Sequence, residues 1–153
     1  MRTAVITGGA AGLGADVARR LSEAGYRIGI FDLGAERVAQ TASEIDNAVG
    51  IEADVTSPEQ IAAAFEAFGE TPDLLVNNAG IVRDRMFVSA TPEEWDATMH
   101  VHLRGHFCVS RHAVDYWRGQ QKAGKPVDAR IINTTSGAGL QGSIAQAAYS
   151  TAK

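Results

Sequence analysis

The chain has 153 residues, of which 45% are hydrophobic and 21% are charged, and its formal net charge is -4. This length and composition predict one folded domain over residues 1–153 and exclude bulk disorder. The acidic balance, with a pI of about 5.5, argues against nucleic acid as a partner. A run of about 18 apolar residues would be needed to span a membrane, and the sequence has none. Cys108 is the single cysteine, so no internal disulfide can form, and we expect a cytoplasmic location.

Short apolar runs rich in β-branched residues alternate with helical patterns along the whole chain. The predicted strands cover residues 4–6, 26–31, 48–53, 74–76 and 130–134. The predicted helices cover residues 12–24, 35–45, 58–68 and 92 to about 117, and a last one opens near residue 143. The strands are continuously apolar rather than alternating, which is typical of a parallel sheet covered on both faces. The sequence therefore predicts an α/β protein with a doubly wound parallel sheet, a Rossmann fold.

The first predicted strand runs into a glycine-rich turn with glycines at positions 8, 12 and 14. Glycines let the backbone approach a pyrophosphate closely, and the N–H groups of the following helix point at it. A glycine-rich turn alone is weak evidence, but a strand before it and a helix after it favour dinucleotide binding. Asp32 ends the second strand, where a carboxylate can accept hydrogen bonds from an adenosine ribose.

The residues around Asp32 favour NAD over NADP. Its carboxylate would repel a 2′-phosphate, and Ala10, Ala11 and Leu33 supply no cation to accept one. Arg37 is the nearest cation, and we expect it to face solvent.

Four separated motifs occur in order along the chain: Thr7-Gly-x-x-x-Gly-x-Gly14, Asn77-Asn-Ala-Gly80, Ser136 and Tyr149-x-x-x-Lys153. With this ordered set the chain resembles the short-chain dehydrogenase/reductase family over its whole length, including its 3-oxoacyl reductase-like members. The stretch His102-Leu-Arg-Gly105 resembles that of the family's hydroxyacyl-CoA dehydrogenases. The resemblance implies that the cofactor is bound by Gly8, Gly12, Leu13, Gly14, Asp32, Asp54, Val55, Asn78, Ala79, Gly80, Tyr149 and Lys153. The family's chain is longer, which implies that these residues are part of a longer protein.

Tyr149 and Lys153 are four residues apart, so on a helix they share one face. An ammonium about 4 Å from the phenol oxygen would favour the phenolate by ~4 kcal/mol at an effective dielectric constant near 20. The phenol could then move a proton at neutral pH, while the Ser136 hydroxyl holds the substrate oxygen. The implied reaction is hydride transfer between nicotinamide and a carbinol carbon. Tyr-x-x-x-Lys alone is common on exposed helices, so the prediction depends on the complete set of motifs.

His102 stands where the family usually has an asparagine that kinks the long helix and carries a water of the proton relay. An imidazole can donate and accept hydrogen bonds, so His102 is a candidate for that role, and a purely structural role stays open. A metal site is disfavoured, because His102 and His106 have no acidic or cysteine ligand to complete a set.

The segments 81–88 and 137–144 are mostly apolar or small, which suggests that the small-molecule substrate is a hydrophobic hydroxy or keto compound, such as a 3-hydroxyacyl thioester or a steroid-like ring. The resemblance implies a homodimer or homotetramer, with Met99, Val109 and Trp117 as candidate packing residues, although a monomer core explains them equally. Two other functions remain open: a dinucleotide-binding module without turnover, and an inactive fragment.

Overall fold

The computed structural model describes residues 1–70 and 72–153 and contains one parallel five-stranded sheet with the order β3-β2-β1-β4-β5. The strands are β1 (Thr3–Thr7), β2 (Arg27–Asp32), β3 (Ala48–Glu52), β4 (Leu74–Asn77) and β5 (Arg130–Asn133). This strand order is that of a Rossmann fold, as the sequence predicted. The order changes direction between β1 and β4, and the carboxyl ends of these two strands therefore border a crevice.

Helices cover both faces of this sheet. The helices before β4 are α1 (Gly12–Glu23), α2 (Ala35–Ser43) and α3 (Pro58–Phe68). Those after it are α4 (Pro92–Met99), α5 (Gly105–Lys122), α6 (Gly137–Gln141) and α7 (Ala147–Ala152). One apolar cluster lies on each side of the sheet: β1 contributes Val5 to one and Ile6 to the other. Every residue of β1 is buried, which explains its continuous apolar sequence.

The helices predicted from residues 58 and 92 begin at those residues. Ser57 Oγ accepts a hydrogen bond from the Gln60 N–H at the start of α3. Thr91 and Glu94 form a capping box at the start of α4, in which each side chain bonds to the other residue's backbone N–H. Prolines at the first helical positions support both starts.

The chain from Pro92 to Lys122 differs from the single helix ending near Trp117 that the sequence predicted. It continues to Lys122, and residues His100–Arg104 form a π-helical segment between α4 and α5. Two of the candidate interface residues belong to the core of the monomer instead, because Val109 is buried in the apolar cluster and Trp117 packs against that cluster. The exposed apolar side chains of this run include Leu103, Phe107 and Val114.

Two helices form where the sequence predicted a single last helix. The sequence predicted one helix from about residue 143, whereas α7 begins at Ala147 and is preceded by the short helix α6. Ala145 has a φ of 62°, which interrupts any continuous helix across this segment. Among the described residues, no helix is both long enough and apolar enough to cross a membrane.

Candidate active site

The glycine turn after β1 is packed so closely that two of its positions exclude a side chain. A Cβ on Gly14 would lie 2.1 Å from the Gly8 carbonyl oxygen and 2.7 Å from Asn78 Nδ2. A Cβ on Gly8 would lie 2.8 Å from the Ala79 Cα, and the φ of Gly8 is 63°. The amino end of α1 therefore lies close against the end of β4. No side chain of the described residues caps this helix, so its first backbone N–H groups are left without intrahelical partners. This is the geometry of an anion-binding helix start.

Asn78 and Asn77 join the ends of neighbouring strands. Asn78 Nδ2 donates to the carbonyl oxygens of Thr7 at 3.3 Å and Gly8 at 3.1 Å. Thr7 Oγ1 in turn accepts from the backbone N–H of Asn78. The fully buried Asn77 donates through Nδ2 to Asn133 Oδ1 at 2.8 Å and also to a hydroxyl on α5. These hydrogen bonds of the motif 77–80 link the carboxyl ends of β1, β4 and β5, which border the crevice.

Asp32 is held by the backbone at the end of β2. Its Oδ2 accepts from the Ala10 N–H at 3.0 Å and its Oδ1 accepts from the Leu33 N–H at 2.8 Å. Arg37 is exposed, as expected, but its guanidinium also lies 3.6 Å from Asp32 Oδ1. The two side chains therefore form an ion pair that the sequence analysis did not foresee.

These elements border one cavity of about 440 Å³. Ten of the predicted cofactor residues line it: Gly8, Gly12, Leu13, Gly14, Asp32, Asp54, Val55, Asn78, Ala79 and Gly80. Their backbone cradle and the Asp32 carboxylate suit a dinucleotide, so the residues present fit the group that the fold implies.

Tyr149 and Lys153 lie on and just after α7, at the same carboxyl edge of the sheet. Lys153 Nζ is 5.8 Å from the centroid of the Tyr149 ring and donates to the Thr134 carbonyl oxygen at 2.9 Å. Burial lowers the pKa of Lys153, because desolvation disfavours the ammonium. The cation is thus fixed beside the phenol by a backbone acceptor at the end of β5.

Ser136 caps the short helix α6. Its Oγ accepts from the Ala138 N–H at 3.2 Å, and a hydroxyl that accepts one bond can still donate its own proton. Within the described residues it forms no hydrogen bond with Tyr149 or Lys153. The structure therefore brings Tyr149 and Lys153 together and places Ser136 on the adjacent loop.

His102 lies in the π-helical segment and is 2% exposed. Its Nε2 is 2.7 Å from the Ile81 carbonyl oxygen and 3.2 Å from the Ile81 N–H. We assign the proton to Nε2, because donation to the carbonyl is the shorter contact. Burial lowers the pKa of His102, the hydrogen bond with the Ile81 backbone opposes this, and the Lys153 charge contributes a smaller lowering. The His102 ring packs edge-on against the Tyr149 ring at a centroid distance of 5.3 Å.

Two features of this site escaped the sequence analysis. The Thr134 carbonyl that holds Lys153 is a backbone group, and its position depends on the fold rather than on residue type. His106 was considered only as a metal ligand, yet the Lys153 charge is among the causes that lower its pKa. The i, i+4 spacing from His102 was the available signal. No group of three candidate metal ligands occurs in the described part of the chain.

Comparison with known proteins agrees with this fold. The sequence profile of the family described as short chain dehydrogenase matches residues 2–153. The chain belongs to the short-chain dehydrogenase family. The sequence-based prediction of that family is thereby confirmed.

Relatives with functional descriptions are similar over nearly the whole chain. Hydroxyacyl-CoA dehydrogenase ChsB1 of Mycobacterium tuberculosis is 41% identical over 99% of this chain and 52% of its own length. The 3-oxoacyl-[acyl-carrier-protein] reductase FabG of Aquifex aeolicus is 34% identical, over 99% of this chain and 62% of its own. The chain therefore spans between half and two thirds of these relatives.

Solved structures show the same likeness. A short chain dehydrogenase from Mycobacterium avium has a TM-score of 0.89 and 43% identity, over 99% of this chain and 57% of its own. The 3-ketoacyl-(acyl-carrier-protein) reductase of Brucella melitensis, complexed with NADH, has a TM-score of 0.90 and 29% identity over 99% and 64%.

Proposed function

We propose that this chain carries the dinucleotide site and the catalytic Ser136, Tyr149 and Lys153 of an oxidoreductase. The reaction is hydride transfer between a nicotinamide and a secondary alcohol or ketone. The observation that carries this proposal is the position of Lys153 Nζ, 5.8 Å from the Tyr149 ring and held by the Thr134 carbonyl. This pair lies at the same sheet edge as the cavity that suits a dinucleotide.

Each of the three residues has a task that its chemistry permits. The Ser136 hydroxyl donates to the substrate oxygen and orients it. Tyr149 takes the hydroxyl proton when an alcohol is oxidised and returns it when a ketone is reduced. Lys153 stabilises the phenolate by its charge and binds the nicotinamide ribose. The bound nicotinamide supplies the hydride acceptor or donor.

His102 contacts Tyr149, one of these three residues. Its neutral ring packs against Tyr149, while its Nε2–H ties the segment after β4 to the helix through the Ile81 carbonyl. We propose that it replaces the family's asparagine in positioning the proton relay.

The cofactor that we propose is NAD, with NADP less suitable. The Asp32 carboxylate is fixed by two backbone N–H groups, and it lines the cavity where a 2′-phosphate would lie. Replacing it by Ser should reduce the preference for NADH over NADPH by at least about tenfold, since one charge repulsion is removed. Fluorescence titration with each cofactor measures the ratio, and an unchanged ratio would contradict the assignment.

The substrate class that we propose is a hydrophobic hydroxy or keto compound such as a 3-hydroxyacyl thioester. The relatives named above act on hydroxyacyl and oxoacyl thioesters according to their names, and the segment before α4 exposes Met86, Phe87 and Val88. Assembly as a homodimer or homotetramer and a cytoplasmic location stay predictions.

An activity assay on the complete protein tests the proposed function. NADH is mixed with an acetoacetyl thioester, and the loss of absorbance is followed for the wild type and for Tyr149→Phe. Removal of the proton-transferring group should lower kcat by about 10²–10⁴ while NADH still binds. Equal turnover by the two proteins would overturn the mechanism, and NADH binding without turnover by the wild type would favour a binding module.

A further inference from the structure

Two hydrogen bonds join the segment after β4 to the start of α7, the helix that carries Tyr149. The Arg85 N–H donates to the Ala145 carbonyl oxygen at 2.7 Å. Gln146 Nε2 donates to Asp84 Oδ1 at 2.8 Å, across 62 residues of sequence. Arg85 and Gln146 also pair as an isolated parallel bridge. Backbone and side chain therefore connect the two segments together.

Ala145 has a backbone conformation that its surroundings must hold. Its φ of 62° lies in the left-handed region, which is unfavourable for a residue with a Cβ. Residues strained in this way persist where the surrounding structure fixes them, and they occur preferentially at functional sites. The hydrogen bond from the Arg85 N–H supplies one such constraint just before α7.

Gln146 directly precedes α7, and its side chain bonds Asp84 rather than the backbone of that helix. Its carbonyl oxygen accepts from the Ser150 N–H at 2.8 Å and so begins the helical hydrogen bonds. A hydrogen bond to a carboxylate is charge-assisted and stronger than one between neutral groups. Tyr149 follows within the first turn of the helix. The contact with Asp84 therefore fixes the end of the helix from which the phenol projects.

The segment that contains Asp84 is itself anchored at α4. The Arg85 guanidinium donates to Glu94 Oε1 through Nε at 3.0 Å and through Nη2 at 2.6 Å. Glu94 Oε2 also accepts from the Thr91 N–H in the capping box of α4. The helices α4 and α7 pack against each other. Asp84 is therefore held on a supported segment and not on a free loop.

We propose that Gln146 and Asp84 are positioning residues, whose hydrogen bond holds the first turn of α7 so that the Tyr149 phenol meets the substrate oxygen. This inference rests on the proposed function. The two residues act through Tyr149 and take up no proton themselves. Their contact complements that of His102, which packs against the Tyr149 ring and bonds the same segment at Ile81.

Loss of this hydrogen bond should affect proton transfer more than cofactor binding. Proton transfer needs donor and acceptor atoms about 2.6–3.2 Å apart, and a misplacement of about 1 Å can lower the rate about 100-fold. The cavity that suits the dinucleotide is lined by the ends of β1, β2 and β4 and by the start of α1. The expected signature is therefore a lower kcat with an unchanged dissociation constant for NADH.

The test uses the complete protein with NAD and a 3-hydroxyacyl thioester. Gln146→Leu removes the donor and should lower kcat at least about tenfold, with the dissociation constant for NADH within about twofold of the wild type. Gln146→Glu places two carboxylates together and should lower kcat about as much. Asp84→Asn keeps an acceptor oxygen and should retain kcat within about threefold. Gln40→Leu is the matched control, because Gln40 is an exposed glutamine of α2, and it should leave kcat unchanged.

Exchange of donor and acceptor tests the hydrogen bond itself. In the double variant that combines Asp84→Asn with Gln146→Glu, the new amide donates to the new carboxylate, and the net charge is that of the wild type. This variant should recover kcat to within about threefold of the wild type. The inference is overturned if the double variant is as slow as Gln146→Glu, or if Gln146→Leu has the kcat of the wild type.

Crystal structures give a readout that does not depend on turnover. In Gln146→Leu the Tyr149 hydroxyl should move by about 1 Å or more relative to the wild type, and an unmoved hydroxyl overturns the inference. Should Gln146→Leu not fold, the comparison of Gln146→Glu with the double variant decides. An inactive wild type would count against the proposed function alone, since the position of Tyr149 can still be compared.

Discussion

Substitution of Gly14 by Ala should damage the dinucleotide cradle, because the added Cβ would meet backbone rather than flexible side chains. The Cβ would lie 2.1 Å from the Gly8 carbonyl oxygen, whereas carbon and oxygen atoms in contact are normally roughly 3.5 Å apart. The turn and the start of α1 would have to separate by about 1 Å or more. Such overpacking costs about 1–3 kcal/mol.

The same displacement strains a hydrogen bond. Asn78 Nδ2 donates to the Gly8 carbonyl at 3.1 Å, and a Cβ on Gly14 would lie 2.7 Å from that nitrogen. Loss of this bond adds about 1 kcal/mol, so the total cost is about 2–4 kcal/mol. If the turn relaxes outward, cofactor binding must restore its shape. A cost of about 2 kcal/mol then weakens NADH binding roughly 30-fold.

Urea unfolding measures the loss of stability, and fluorescence titration measures the dissociation constant for NADH. Gly119→Ala is the control, since Gly119 lies inside α5 with no atom within 4 Å of an added Cβ. Alanine has the higher helix propensity, so this variant should gain up to about 1 kcal/mol and bind NADH normally. If Gly14→Ala binds NADH as the wild type does and is equally stable, the reasoning about the cradle is wrong.

Two further predictions concern histidines. A Cβ at position 80 would lie 2.5 Å from His102 Cε1. Gly80→Ala should therefore displace the imidazole from Ile81 and lower kcat about tenfold or more. A crystal structure of the variant with His102 in its original position would contradict this prediction. The second prediction concerns pH. Burial lowers the pKa values of His102, His106 and His112 below 6.5, and that of His106 to about 4. The His112 ring also stacks on the Phe65 ring at a centroid distance of 4.5 Å. Between about pH 6.5 and 4 the unfolded chain therefore binds more protons than the folded chain. The contribution of these histidines to the free energy of unfolding should be constant just above about pH 6.5 and fall as the pH is lowered toward 4. Urea titrations at about pH 7.5 and pH 5 test the sign, and equal values would count against it.

Much of the site's organisation was predictable from the sequence because it depends on local patterns. Hydrophobic periodicity indicates the strands and helices to which the motifs belong. The glycine turn follows a predicted strand, Asp32 ends the next one, and Tyr149 and Lys153 are spaced as on one face of a predicted helix. Parallel strands bring their carboxyl ends to one edge of a sheet, which explains why these distant motifs meet. The structure places them there, with ten of the predicted cofactor residues around one cavity.

What the sequence determined by itself was the alternation of strands and helices, the glycine turn and the one-turn spacing of Tyr149 and Lys153, since these depend on residues near in the chain. Only the tertiary structure decided the π-helical segment at His102, the Thr134 carbonyl on Lys153 and the hydrogen bond from Gln146 to Asp84. Each of these arises where segments far apart in sequence pack together. Burial and hydrogen-bond satisfaction are properties of that packing, and no local pattern of residues encodes them.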